Sequence, residues 1–234
     1  MGPFFFRGID SNNSGTKSMF NGFNGGNNDP DFEFTGASNI FFWIGDGGDW
    51  RDPNNWSRTS GGTSDGCLPK SVDNVIFDNM SFPSGAGAGA MITSDLPIFV
   101  NSFTFTTDGF LGSIRMPSLT IIGDQRVSNR SELFITSERL TWLIDDVFLF
   151  STDTGGMTAN NDNLFVSVPP NVLRNVLVRS EAGSRINLDT SLVITGTLDI
   201  GGAGEFFTDG FDVEANMITA QDDPVLLRLS LIHI

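Results

Sequence analysis

The chain has 234 residues, 39% of them hydrophobic, and a net charge of −15 from 28 acidic and 13 basic residues. Nucleic acids and anionic membrane surfaces are bound through clustered Lys and Arg, so this balance excludes both as expected partners. Cys67 is the single cysteine, which excludes an internal disulfide and a thiolate metal cluster. No apolar run reaches the roughly 18 residues of a membrane-spanning helix, so we expect no membrane insertion.

The composition favours an all-β fold. The chain contains 27 Gly, 22 Phe and no Tyr, with many Asn, Asp, Ser and Thr. Long helices favour Ala, Glu, Lys and Leu, whereas short strands joined by Gly, Asn and Asp turns favour this mixture.

The N-terminal half divides into three expected segments. Residues 1–37 are rich in Gly and Asn, which predicts a linker or the end of a preceding domain. Their start, "MGPFFFRGIDSNNSG", lacks the pattern of a signal peptide, so we expect a protein that is not exported or a sequence whose true start is missing. Residues 38–83 hold a Trp- and Asp-rich head. Residues 84–97 follow as a flexible Gly/Ala loop, because they lack the Lys-Ser/Thr ending of a phosphate loop.

Short alternating strands recur over 98–228, as in "NSFTFTT" and "SLVITGTLDIGG". Two architectures fit this pattern: a right-handed parallel β-helix and an antiparallel β-sandwich. We favour the β-helix, because no Asn-Gly or Asp-Gly hairpin joins two clean strands. At roughly 20 to 25 residues per coil, we expect five or six coils.

The last six residues, "LSLIHI", are the translation of CTG TCT CTT ATA CAC ATC, which resembles a transposon-type sequencing adapter. We therefore expect 229–234 to be an artefact and the native chain to continue past Arg228. His233 is the only histidine. Without it, His-dependent nucleophilic catalysis and imidazole-bound metals are excluded.

The stretch "WIGDGGDWRDPNNWS" at 43–57 raises three interpretations. Trp43, Trp50 and Trp56 are separated by turns, so their rings can converge over the exposed end of an apolar stack and cap it. We favour this structural interpretation.

A cation site is the second interpretation. Hard oxygen ligands for calcium are offered by Asp46, Asp49, Asp52 and Asn54, with Asn55 beside them. The spacing of an EF-hand is absent, and Asp and Asn also serve as turn formers that bond their own backbone. We expect no other cofactor.

Catalysis is the third interpretation. The three aspartates could act as paired carboxylates in glycoside hydrolysis. Asp145 and Asp146 in "TWLIDDVFLF" are a second carboxylate pair, whose alternative role is a tight turn between two strands. We predict no catalytic residue.

Residues 42–82 also resemble a known module, written W-x-G-G-x-G-x-W-x-D-P-x-N-W-S…P-x-x-x-D-x-V-x-F-D-x-x-S-F. The matching positions are Trp43, Trp50, Asp52, Pro53, Trp56, Pro69, Asp73, Val75, Phe77, Asp78 and Phe82. The module is found in large secreted or surface proteins of Bacteroidota-type bacteria, often with a type IX secretion or gliding-associated C-terminus. Related heads precede the β-helical passengers of autotransporter-like adhesins. This chain departs from the module at Asn79 and Met80, where the family more often has Ala-Asn.

The resemblance implies a non-enzymatic, adhesin-like structural segment of a secreted or cell-surface protein. Its expected partners are a surface ligand or glycan and other domains of the same large protein. The alternative is a polysaccharide-processing β-helix enzyme that uses surface carboxylates. Asp or Glu clustered with Arg or Lys on one strand stack would favour the enzyme, and a uniform Ser/Thr/Asn face would favour a stalk.

Overall fold

The computed structural model describes the chain in ranges separated by gaps. These ranges are 4–6, 17–20, 22–24, 32–35, 38–84, 89–107, 110–124, 131–137, 139–152, 162–170, 173–180, 184–202, 204–220, 226–228 and 232–233. Side chains are described only between 38 and 220, without those of 124, 152, 162 and 163.

Strands account for nearly all regular structure in the described ranges. They are β1 (Phe4–Phe6), β2 (Lys17–Phe20), β3 (Gly22–Asn24), β4 (Phe32–Thr35), β5 (Ile40–Trp43), β6 (Gly48–Asp49), β7 (Trp56–Ser57), β8 (Asn74–Phe77), β9 (Met91–Thr93), β10 (Ile98–Val100), β11 (Ser102–Phe105), β12 (Ser113–Asp124), β13 (Ser131–Ile135), β14 (Thr141–Thr152), β15 (Asp162–Ser167), β16 (Asn175–Ser180), β17 (Arg185–Leu188), β18 (Leu192–Gly202), β19 (Glu205–Phe207), β20 (Val213–Ala220), β21 (Leu226–Arg228) and β22 (Ile232–His233). One short 3-10 helix spans Pro53–Asn55. The described residues contain no α-helix, so the all-β prediction is confirmed.

Two open nine-stranded sheets contain most of these strands. Sheet I has the order β22-β20-β18-β16-β14-β12-β9-β6, and β10 also pairs with β12. Sheet II has the order β21-β19-β17-β15-β13-β11-β8-β5-β7. From β11 onward the chain therefore places successive strands alternately in sheet II and sheet I. Two small parallel pairs, β1 with β3 and β2 with β4, lie outside both sheets.

Parallel pairing distinguishes the two predicted architectures. Among the described pairs, only β5 with β7 is antiparallel. Parallel neighbours need a crossover connection, which the intervening strand of the other sheet supplies. An antiparallel β-sandwich is therefore wrong for this chain.

The core is built from apolar columns that run through successive strands in register. In sheet I the columns are Leu119–Val147–Val176–Leu198 and Ile121–Leu149–Val178–Ile200. None of these eight side chains is more than 1% exposed. Sheet II contributes the column Phe41–Val75–Phe103–Leu133–Val166–Leu188. Because side chains alternate between the faces of a strand, every second residue enters the space between the sheets.

The interval between paired positions varies along the chain. Val176 pairs with Leu198, 22 residues later, which lies within the predicted coil length. Phe103 pairs with Leu133, 30 residues later. The longer interval contains β12, whose 12 residues pair first with β9 and then with β10.

The predicted segment boundaries compare with the strands as follows. The head at 38–83 continues directly into sheet II, because β5 and β8 lead to β11 by parallel pairing. The loop expected at 84–97 contains β9, which pairs with β12, so it is shorter than expected; 85–88 lie outside the described residues. The backbone of β22, within 229–234, pairs with β20, and the rest of that segment lies outside the described residues. Apart from β1 to β4, so does the expected linker at 1–37.

Candidate functional site

The three head tryptophans pack against one another. Trp43 and Trp56 face each other across the antiparallel β5–β7 pair, and Trp50 follows β6. Their exposed fractions are 0%, 0% and 3% for Trp43, Trp56 and Trp50. The ring centroids lie 5.1 Å apart for Trp43 and Trp56 and 4.7 Å apart for Trp50 and Trp56. The predicted burial and convergence of the rings are confirmed.

Phe77 connects this cluster to the following strands. Its ring lies 5.8 Å from that of Trp43, 5.4 Å from that of Phe103 and 5.0 Å from that of Phe105. Phe82 continues the contacts to Phe105 at 6.3 Å. The first strands are thus joined by aromatic rings, whereas the later strands of the stack are joined by aliphatic columns.

Two indole N–H groups fix the loop that joins the tryptophans. Trp43 Nε1 donates to the Gly45 carbonyl at 2.7 Å, and Trp56 Nε1 donates to the Trp50 carbonyl at 2.7 Å. Buried indole N–H groups need such partners, so the loop conformation and the ring packing depend on each other.

The aspartates of the same loop bond neighbouring groups. Asp52 caps the short 3-10 helix, whose first residue is Pro53, by accepting from Asn54 N at 2.9 Å and from Asn54 Nδ2 at 2.8 Å. Asp49 Oδ1 accepts from the backbone N–H of Arg51 at 2.9 Å.

Asp46 reaches across to the start of the following loop. Its two oxygens accept from Ser84 N at 2.7 Å and from Ser84 Oγ at 2.6 Å. In the part of the chain that the structure describes, no group of three or more His, Cys, Asp and Glu side chains could hold a metal ion. The calcium prediction at Asp46, Asp49, Asp52 and Asn54 therefore finds no support, because these aspartates act as turn and loop acceptors.

Asp73 is a fully buried carboxylate at the start of β8. Its Oδ1 accepts from Asn39 N at 2.8 Å and from Asn39 Nδ2 at 3.1 Å, and its Oδ2 accepts from Lys70 N at 2.8 Å. The conserved chemistry of a buried charge, several hydrogen bonds to compensate lost hydration, is satisfied here. Asp73 thereby joins the chain ahead of β5 to the turn ahead of β8.

Asp78 has the corresponding role at the other end of β8. Its Oδ1 accepts from Met80 N at 2.9 Å, and its own N–H donates to Ser81 Oγ at 2.8 Å. The turn at 78–81 is therefore closed by side-chain bonds of the Asx type.

A polar ladder that was not predicted continues from β8 towards the next strands. Asn101 Nδ2 donates to Asn74 Oδ1 at 2.7 Å, and Ser131 Oγ donates to Asn101 Oδ1 at 2.9 Å. Asn101 and Ser131 are both fully buried. The available signal was a polar residue directly at the start of an alternating run, as in "NSFTF" and "SELFI".

The second predicted carboxylate pair lies within a strand. Asp145 and Asp146 are exposed residues of β14, so the expected tight turn is wrong. Asp145 forms an ion pair with Arg174 at 2.5 Å, and Asp146 accepts from Asn175 Nδ2 at 3.0 Å. The pair lies where β14 changes from one run of alternation to the next, with Ile144 and Val147 both buried.

An open groove of about 560 Å³ lies against the outward face of sheet I. It is lined by Asp49, Thr93, Ser94, Asp95, Arg115, Met116, Pro117, Leu143 and Asp145. Four of these residues form one in-register column across neighbouring strands, Asp49–Thr93–Arg115–Leu143. The structure thus brings Asp49 and Asp145 to one surface together with a guanidinium, which the spacing in the sequence did not show.

No protein-family model matches this chain, and no curated protein or solved structure is significantly similar to it. None of the described residues belongs to a helix that is long and apolar enough to cross a membrane.

Proposed function

We propose that the chain is a right-handed β-solenoid segment of a secreted or cell-surface protein, in which it forms an adhesin-like stalk. The observation that supports this most directly is the set of in-register apolar columns, in which each strand of sheet I buries its side chains on the strand before it. Stacks of this kind gain stability from neighbouring repeats and extend in one dimension. A stalk requires that property.

The aromatic head is proposed to cap this stack. β7 pairs with the edge of β5 in the antiparallel direction, so the parallel ladder of sheet II ends there. Open edges of sheets invite further pairing, and covering them prevents it. Trp56 on β7 and Trp50 close the apolar interior at the same end.

The outward faces are less polar than a stalk with uniform Ser, Thr and Asn rows would have. Half-buried Phe99, Phe148 and Leu177 belong to one outward column of sheet I. Phe165 and Phe207 lie on either side of Asn187 in sheet II. Such side chains agree with the proposal that other segments of the same large protein contact this one.

The groove favours a second candidate, a polysaccharide-processing enzyme. Asp95 and Asp145 lie near Arg115 on one strand stack, which is the arrangement that distinguishes an enzyme from a plain stalk. Carboxylate pairs carry out acid–base chemistry on glycosidic bonds. The exposed positions of these groups leave their carboxylates solvated, so the stalk remains the first proposal.

The location of the protein tests the first proposal. Antibodies raised against the purified chain should label intact cells that express the complete gene, and protease added outside the cells should remove the label. Labelling that requires permeabilised cells would contradict a surface stalk.

Product analysis tests the second candidate. Incubation with soluble polysaccharides should release no new chain ends if the segment is a stalk. Product formation that disappears in Asp145→Asn would establish the enzyme instead.

A further inference from the structure

We propose that the groove on sheet I binds an uncharged oligosaccharide. This inference deepens the proposed surface function, because it names the class of ligand that such a segment would meet. It rests on the proposed function only for that context, since the groove itself is defined by its lining residues. The argument depends on the charges in the groove, its floor and its backbone.

The charges in the groove disfavour ligands of either sign. Asp49, Asp95 and Asp145 supply three carboxylates, which repel an anionic polymer in a chain whose net charge is already −15. The guanidinium of Arg115 lies on the central column, between Thr93 and Leu143. It disfavours a cationic ligand at the same place.

Hydroxyl groups match both kinds of side chain at once. A sugar hydroxyl donates to a carboxylate and accepts from a guanidinium, because it carries both functions. Within the described part of the chain, no hydrogen bond or ion pair joins the side chain of Arg115 or that of Asp95 to another residue. Both groups are exposed and available to a ligand.

Leu143 and Pro117 supply apolar contact between these polar groups. Leu143 is 48% exposed, and it continues the column that starts at Asp49. Sugar rings present C–H surfaces as well as hydroxyls, so an exposed leucine beside charged groups suits them. The four strands of the column span roughly 14 Å, three strand spacings of about 4.8 Å, which accommodates a short oligosaccharide.

The backbone of the groove excludes an added peptide strand. β6, β9, β12 and β14 are consecutive neighbours in sheet I, so their backbone groups already pair with each other. A peptide that binds by strand addition needs a free edge. Recognition must therefore come from the side chains.

The test is binding of defined oligosaccharides to the full chain by isothermal calorimetry. The neutral probes are gluco-, manno- and xylo-hexasaccharides, the anionic probe is oligogalacturonate, and the cationic probe is a chitosan oligomer. We expect millimolar or tighter binding of a neutral probe. Arg115→Gln and Asp95→Asn should each weaken it about tenfold or more, the loss of one charge-assisted hydrogen bond.

Glu214→Gln is the matched control, because it removes an exposed carboxylate on β20, three strands beyond β14 in sheet I. It should bind like the unmodified chain. Circular dichroism and the melting temperature of each variant show whether it is folded, which the exposure of Arg115 and Asp95 leads us to expect.

Several outcomes overturn the inference. They are the absence of neutral binding at millimolar concentrations, neutral binding that both groove variants retain, a preference for oligogalacturonate, and chitosan binding that Arg115→Gln strengthens. Each of these leaves the surface-labelling result unchanged, so failure of the groove and failure of the stalk proposal are distinguishable.

Discussion

At the residue scale, the head illustrates how large rings replace a long repeat. Trp50 contacts Trp56, Phe77 and Phe103 with centroid distances of 4.7, 6.0 and 6.4 Å. It therefore joins the loop after β6 to β7, β8 and β11. Aromatic pairs at such distances add to the stabilisation from area burial alone.

Trp50→Ala should lower the free energy of unfolding by about 3–5 kcal/mol, as for other large core truncations. Chemical denaturation monitored by circular dichroism measures the change. Met217→Ala is the control, because Met217 is 51% exposed, and surface substitutions change stability by about 0.5 kcal/mol or less. A loss below about 1 kcal/mol for Trp50→Ala would place the ring outside the energetic core.

Asp73→Ala tests the buried carboxylate. It leaves the N–H groups of Asn39 and Lys70 without their acceptor, and a buried unsatisfied donor costs about 1–3 kcal/mol. We expect a loss of roughly 3 kcal/mol in urea denaturation, from more than one such donor. Asp212→Ala, at an exposed aspartate ahead of β20, should change stability little. Equal effects of the two substitutions would show that the bonds of Asp73 contribute nothing specific.

The head aspartates are expected to confer no calcium dependence. Their oxygens already accept hydrogen bonds from Asn54, Arg51 and Ser84. The melting temperature should therefore be the same with calcium and with chelator at matched ionic strength. A rise with calcium that Asp49→Asn abolishes would instead reveal a site, since a ligand specific to the folded state stabilises it.

The ring cluster was predictable from the sequence, and the polar ladder was not. Tryptophans separated by turns can only be satisfied by joint burial, whereas Asn101 and Ser131 look like ordinary turn residues until their strands are placed in register. Asp95, Arg115 and Leu143 were missed for the same reason. They are 20 and 28 residues apart in sequence, as the numbers of Asp95, Arg115 and Leu143 show, and only parallel pairing unites them.

At the element scale, the ends of β16 and β18 require close backbone approach. Gly202 has φ +103°, and a Cβ at this position would lie 2.2 Å from the Ser180 carbonyl oxygen. Ser180 pairs directly with Gly202 across the two strands. A side chain there would push apart the paired strands at the corner where the chain leaves sheet I.

Gly202→Ala should therefore cost more stability than Gly210→Ala. Gly210 also has a positive φ, +90°, but no atom lies within 4 Å of its added Cβ. Left-handed backbone costs an alanine roughly 1–2 kcal/mol at either site, and only Gly202→Ala adds a backbone clash. Thermal unfolding of the two variants provides the comparison. Equal losses would mean that the corner relaxes without cost.

β14 shows why strand boundaries were harder to predict than strands. Asp145 and Asp146 interrupt the apolar pattern, which is typical of a turn. In the structure they mark a change of face inside one strand of 12 residues. Parallel pairs with β12 continue on both sides of them, so the neighbouring strand, and not local preference, keeps this segment extended.

At the scale of the whole molecule, alternation between two sheets makes the chain modular. Each strand of sheet I rests on its predecessor, and its successor in the chain rests on the corresponding strand of sheet II. The composition and period-two patterns were sufficient to predict parallel stacking. They could not reveal how many residues each repeat contains, because chain length between strands varies without altering the register of the columns.

A deletion of one complete interval tests this modularity. Removing residues 176–197, the 22 residues that separate Val176 from Leu198 in the pairing of β16 with β18, brings Leu198 to the position of Val176. Leu198 would then pack on Val147 in the same column. We expect a folded, less stable protein with a cooperative transition, because stacked repeats contribute stability through nearest neighbours. Deleting only residues 176–186, half of that interval, is the matched control. It places strands of sheet I where sheet II strands belong and should abolish cooperative unfolding. If the complete deletion unfolds the chain as fully as the half deletion does, the strands depend on contacts beyond their neighbours and the solenoid proposal fails.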